Sequence, residues 1–163
     1  MATIKDEIMI NAPANFVFGF ISDYSNDVKW REGVIDMKCS TRDNIFIGTR
    51  TRETMKMLGR NFITVARVTE YSPYNRIAFR SVVSEVPVNG YRELKDVNGS
   101  TNFTYSLSLE LRGVYKLFSP FIVSMYSKRV KRDLEKLKMI LDEEYVYKVR
   151  QYTEYKIPFG FYS

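Results

Sequence analysis

The chain switches between two hydrophobic periods, and each switch marks the boundary of an element. Ile4, Ile8 and Ile10 share even positions in a short strand that ends at Asn11. Pro13 follows and suits a first helical turn, where its missing N–H costs nothing, with Asn11 or Ala12 in the cap region. Phe16, Val17, Phe20 and Ile21 then fall on one face of a short helix. Asp23 to Lys29 predicts a break and a second short helical turn that ends at Trp30.

After Trp30 the period becomes two. Val34 to Cys39, Thr49 to Met57, Asn61 to Tyr71, Arg76 to Ser84, Val88 to Asp96 and Ser100 to Arg112 all read as extended. Asp43-Asn44, Leu58-Gly59, Ser72-Pro73-Tyr74-Asn75, Val86-Pro87 and Asn98-Gly99 punctuate them. Asn98-Gly99 is the clearest hairpin signal, because a tight two-residue turn needs two left-handed residues. In the last strand Phe103, Tyr105, Leu107, Leu109 and Leu111 face one way; Asn102, Thr104, Ser106, Ser108 and Glu110 face the other. That alternation predicts an antiparallel sheet with one wet face.

Beyond Gly113 the helical period returns. Val123, Tyr126, Val130, Leu134, Leu137 and Leu141 form a stripe, and Lys128, Lys131, Arg132, Glu135 and Lys138 occupy the opposite face. This predicts an amphipathic helix of roughly 20 residues from Ser119-Pro120, packed on the concave side of the sheet. The order is strand, helix, short helix, six strands, long helix. Asp142, Glu143 and Glu144 oppose the dipole of a helix C-terminus, so the helix is expected to fray or end there. The division is a domain over 1–141 and an aromatic tail over 142–163, with Tyr145, Tyr147, Tyr152, Tyr155, Phe159, Phe161 and Tyr162. Packing on the same chain, docking on a partner subunit or membrane surface, and disorder all stay open for that tail. A homodimer is one assembly it would serve.

Composition narrows the chemistry. A chain of 163 residues is one domain with a core large enough to need no staples. The single cysteine, Cys39, excludes an internal disulfide framework and fits a reducing compartment. No secretory leader and no membrane span is expected, since Lys5, Asp6 and Glu7 sit where an apolar leader core would be. The expected location is cytoplasmic. The charge of +6 comes from basic residues interspersed with 19 acidic ones. Its densest run, Lys128 to Arg132, reads as a solvated helix face, so no specific nucleic-acid partner is expected. The absence of histidine excludes histidine-based triads, metal sites and general bases. No phosphate-binding glycine loop or paired acidic metal motif is present, so no cofactor and no metal is expected.

The opening "IMINAPANFVFGFISDYSNDVKW" (residues 8–30) resembles the START-like (SRPBCC) superfamily, in its polyketide cyclase/dehydrase-type branch. The resemblance continues in Gly48-Thr49, in "VARVTEYSPYNRIAFRS" from Val65, in Gly99-Ser100-Thr101 and in the terminal helix, over roughly residues 3–141. It implies an α+β helix-grip fold, a curved seven-stranded antiparallel sheet around the last helix in the order β-α-α-β6-α. It also implies an apolar cavity. Members bind lipids, sterols, hormones or polyketides, and some catalyse ring closure or dehydration.

For such a cavity the wall candidates are Phe20, Trp30, Met37, Met55, Phe79, Tyr91, Tyr105, Leu107, Phe121, Met125 and Tyr126, against the alternative that each is ordinary core. If Met55 points inward, strand parity takes Glu53 with it; Glu93 shares a face with Tyr91, and the direction of Arg80 is ambiguous. Glu53 or Glu93 as acid–base, with Arg80 and Tyr105 holding an oxyanion, is the candidate catalytic set. Cross-strand salt bridges and a polar hook for an unreacted ligand are the competing readings. The expected function is therefore binding or transport of a small hydrophobic or aromatic molecule. A cyclase/dehydratase-like enzyme and a structural or regulatory partner protein are the alternatives.

Overall fold

A computed structural model describes residues 1–41 and 44–155. The turn expected at Asp43 and the tail aromatics Phe159, Phe161 and Tyr162 lie outside the described residues. The elements are β1 (Ala2–Ile10), α1 (Ala14–Ser22), a 3-10 turn (Tyr24–Asn26), α2 (Asp27–Trp30), β2 (Val34–Cys39), β3 (Arg50–Met57), β4 (Arg60–Ser72), β5 (Arg76–Val83), β6 (Val88–Val97), β7 (Ser100–Leu109), α3 (Val114–Leu117) and α4 (Ser119–Tyr155). The strands form one seven-stranded antiparallel sheet in the order β1-β7-β6-β5-β4-β3-β2. Together with the long last helix this is the helix-grip arrangement that the sequence implies. No helix among the described residues is long and apolar enough to cross a membrane.

Local chemistry explains the entry segment. The Pro13 carbonyl accepts from the N–H groups of Phe16 (3.0 Å) and Val17 (3.1 Å), which opens α1. Asp23 then starts the 3-10 turn by accepting from the N–H (3.0 Å) and hydroxyl (2.6 Å) of Ser25. The Asn26 amide closes the end of α1 on the Phe20 carbonyl at 3.0 Å. These bonds fix where Tyr24, Asp27 and Trp30 enter the core, all three of them buried.

The β6–β7 hairpin sets the register of the sheet. Asn98 (φ 54°) and Gly99 (φ 82°) both take the left-handed conformation of a two-residue turn, which places Val97 opposite Ser100 and Arg92 opposite Tyr105. The sheet is tightly packed at Gly90, where an added Cβ would meet the Ser106 carbonyl oxygen at 2.3 Å and a Phe79 ring carbon at 2.9 Å.

The last helix runs further than expected. It passes through Asp142, Glu143 and Glu144 to Tyr155, a rod of 37 residues or roughly 55 Å. Asp142 is not at a helix end, and its carboxylate has partners. It accepts from the Asn11 N–H (2.8 Å), the Asn11 amide (3.1 Å) and Lys138 (2.7 Å), stapling the helix to the β1–α1 junction. Tyr145 follows and packs on Phe16 with ring centroids 5.2 Å apart, whereas Tyr147 and Tyr152 are exposed. Val130, Leu134, Leu137 and Leu141 lie fully within the core, as the stripe predicts.

Candidate functional site

Between the concave face of the sheet and the N-terminal turns of α4 lies a cavity of about 370 Å³. Strand alternation builds its walls. β3 contributes Thr51, Glu53, Met55 and Met57; β4 contributes Phe62, Thr64 and Ala66; β5 adds Phe79; β7 adds Leu107 and Leu109. The roof is Phe121, Ile122, Met125 and Tyr126 of α4. The mouth opens between the β3–β4 turn at Leu58, the β5–β6 loop at Glu85 and α3, where the Tyr115 hydroxyl donates to Glu85 and Arg60 stands 4.0 Å from the same carboxylate. Leu58, Phe118 and Phe121 are exposed around it.

The deep end is polar, closed by Tyr24, Arg31, Glu53 and Arg92. The Asp27 carboxylate, fully buried, accepts from Arg92 Nη2 at 2.5 Å and from Arg31 Nη1 at 3.1 Å. Arg31 also pairs with Glu53, and Arg92 Nη1 donates to the Ile21 carbonyl at 2.6 Å. Aromatic rings surround these ions. The Arg92 guanidinium lies 4.3 Å from the Tyr24 ring centroid and 5.5 Å from that of Trp30, and Trp30 meets Tyr105 edge-on at 5.6 Å. Burial opposes the charge on Arg92, but Asp27 and the neighbouring tyrosines outweigh it and keep the guanidinium protonated. Burial pushes the Tyr105 hydroxyl up to about 12 and also raises Tyr24 and Tyr126, so all three are neutral donors near neutral pH. The Tyr24 and Tyr105 hydroxyls, Trp30 Nε1, Asp27 Oδ1 and Arg92 Nε are buried with no hydrogen-bond partner among the described residues. Among those residues no three His, Cys, Asp or Glu side chains gather as a metal set.

The sequence-derived candidates divide into three groups. Met37, Met55, Phe79, Leu107, Phe121, Met125, Tyr126 and Glu53 line the cavity. Phe20, Trp30 and Tyr105 are buried in the packed core and do not line it. Tyr91, Glu93 and Arg80 are absent from its walls. Tyr91 lies under the Arg76 guanidinium at 3.7 Å, Glu93 accepts from Arg76 at 2.8 Å, and Arg80 is exposed. The expected convergence of Arg80 and Glu93 on a substrate is therefore corrected. The hairpin register turns Gly90, Arg92 and Leu94 inward and their odd-numbered neighbours out. Tyr24, Asp27, Arg31 and Arg92 went unread in the sequence. Counting pairs back from Asn98-Gly99 finds Arg92, because it puts that residue across from inward-facing Tyr105.

A family model described as polyketide cyclase/dehydrase and lipid transport matches residues 1–141. Among solved structures, a protein of Thermus thermophilus superposes with a TM-score of 0.74 at 18% identity, over 85% of this chain and 96% of its own. The Zhui aromatase/cyclase of a Streptomyces species gives 0.74 at 12% identity, over 86% and 93%. A START superfamily protein of Mycobacterium smegmatis gives 0.65 at 14% identity, over 90% and 99%. No curated protein sequence matches the chain.

Proposed function

Because the chain belongs to the polyketide cyclase/dehydrase and lipid transport family, whose description spans ring-closing enzymes and lipid carriers, we propose that it sits on the carrier side and holds a small hydrophobic molecule without transforming it. The observation that carries this reading is the makeup of the cavity. Its walls are mainly methionine, aromatic and aliphatic side chains, and its volume of about 370 Å³ falls within the range of small-molecule sites. Methionine walls adapt to an irregular apolar occupant, and the exposed apolar rim at Leu58, Phe118 and Phe121 gives such a molecule a way in. The charged groups at the deep end are committed to one another: Glu53 is paired with Arg31, and Asp27 with Arg31 and Arg92. Each charge there already has a partner of opposite sign within the chain. That leaves an anchor for a polar group.

One observation favours a cyclase-like second reading. Arg31, Glu53 and the neutral hydroxyl of Tyr126 border the same cavity, as acid–base chemistry on an enclosed substrate requires. A single experiment separates the two. The protein is incubated with a mixture of fatty alcohols, sterols and polycyclic phenols, and what stays bound is weighed by native mass spectrometry and recovered for analysis. A carrier returns its ligand unchanged; a product of altered mass supports the enzyme reading. Ala66→Trp, which fills the cavity from β4, is expected to reduce retention at least about tenfold while the fold persists by circular dichroism. Retention equal to that of the parent overturns the cavity as the binding site.

A further inference from the structure

We propose that the closed end of the cavity selects its ligand by charge: it accepts the uncharged polar head of an amphiphile, a hydroxyl or a carbonyl, and rejects the same skeleton bearing a carboxylate or an ammonium. This rests on the reading of the cavity as a ligand holder and adds to it the chemical class of the head group.

The ions at that end cancel. Glu53 pairs with Arg31, Arg31 with Asp27, and Asp27 with Arg92, two guanidinium groups against two carboxylates. The next layer is balanced too. On α4, Arg129 acts electrostatically on Asp133 and on Glu32, and Arg132 pairs with Glu32 at 2.6 Å. An ionised head group pressed against this end would be an extra charge in a largely apolar-walled site whose own ions are already paired. A neutral group fits without that penalty. Arg31 is a donor and Glu53 an acceptor, side by side on the cavity wall, so one hydroxyl can accept from the first and donate to the second. The buried unpartnered Tyr24 hydroxyl and Arg92 Nε stand at the same end and add further neutral and charged donors. A carbonyl uses the donors alone, so a hydroxyl is the better match.

The test uses three probes of one chain length at neutral pH: 1-decanol, decanoate and decylammonium. Trp30, the sole tryptophan, is buried against Tyr105 and Arg92 and reports binding by its fluorescence. In the parent protein decanol is expected to bind at least about tenfold more tightly than either ion. Ligand polarity alone would favour decanol as well, so the deciding measurement is a charge swap. Glu53→Gln removes one negative charge, and it is expected to narrow the gap between decanol and decanoate about tenfold while widening that for decylammonium. Arg31→Met is expected to do the reverse. If Arg31→Met fails to fold, Glu53→Gln decides by itself, since it predicts opposite movements for the two ions. Preferences unmoved by Glu53→Gln, or three equal affinities, overturn the charge rule and leave the carrier reading standing. Binding of none of the three overturns the proposed head-group class. If the mixed lipids and phenols are also not retained, the carrier reading falls with it.

Discussion

Asp27 is the residue on which the buried ions depend, and replacing it tests the network directly. Its carboxylate is fully buried and accepts from Arg92 at 2.5 Å and from Arg31 at 3.1 Å. Asp27→Asn keeps the shape and removes the charge. Arg31 retains Glu53, but Arg92, only 1% exposed, loses its carboxylate and keeps neutral acceptors, the amide oxygen of the substituted side chain and the Ile21 carbonyl. Stranding one member of a buried pair costs about 3–5 kcal/mol. A domain of 163 residues has a stability on the order of 10 kcal/mol, so the loss is a third or more of the total. At this size each kcal/mol moves the melting temperature by about 2–4 °C, which puts the expected fall at about 10 °C. Urea unfolding followed by far-ultraviolet circular dichroism measures the free energy itself. The double variant Asp27→Asn with Arg92→Met removes the stranded cation and is expected to be less destabilised than the two single effects added together. An Asp27→Asn protein within about 1 kcal/mol of the parent would refute the argument, as would strict additivity in the double variant.

Two further predictions concern packing and pH. Burial pushes the Asp133 carboxyl from its ordinary 3.8 up to about 6, while its Oδ1 accepts from the Glu32 N–H at 2.8 Å. An acid raised on folding is protonated in both states at low pH. As pH climbs, the unfolded chain ionises first, so stability falls from about pH 4 to about 6 and is level above that. Asp133→Asn keeps the acceptor, lacks that fall, and should exceed the parent at pH 7 by at most about 3 kcal/mol; parallel stability–pH curves would contradict this. At Gly90 a methyl group has no room against Ser106 and Phe79, so Gly90→Ala is expected to destabilise by about 1–3 kcal/mol in urea unfolding, and no change would argue against the close β6–β7 approach.

How much of this was visible in the sequence depends on how local each determinant is. The strands and the stripe of α4 were legible because burial on one face writes a period into the chain, and Asn98-Gly99 because the turn admits few residues. Glu53 was found by parity with Met55. The end of α4 was misjudged because a local rule about helix dipoles was overridden by a distant partner, Asn11. β6 was read through Tyr91, a large apolar ring that proved to be stacked under Arg76 outside the cavity. Carrying the hairpin register along the strand would have turned Arg92 inward instead. Asp27 and Arg31 had no such route. They sit at and beside a four-residue helix too short to show a period; their i,i+4 spacing suits a salt bridge, but the partners that bury them, Arg92 and Glu53, lie far along the chain.

The long helix lies mainly along β1, at one end of the sheet, while β3, β4 and β5 reach the cavity. A molecule held there would supply packing that those strands do not receive from the chain. Folding and loading then become linked equilibria. An occupant at a hundred times its dissociation constant adds about 2.7 kcal/mol to the stability of the folded form. Supply of the cargo would thus set the lifetime of its container, with the empty population the first to unfold and be degraded.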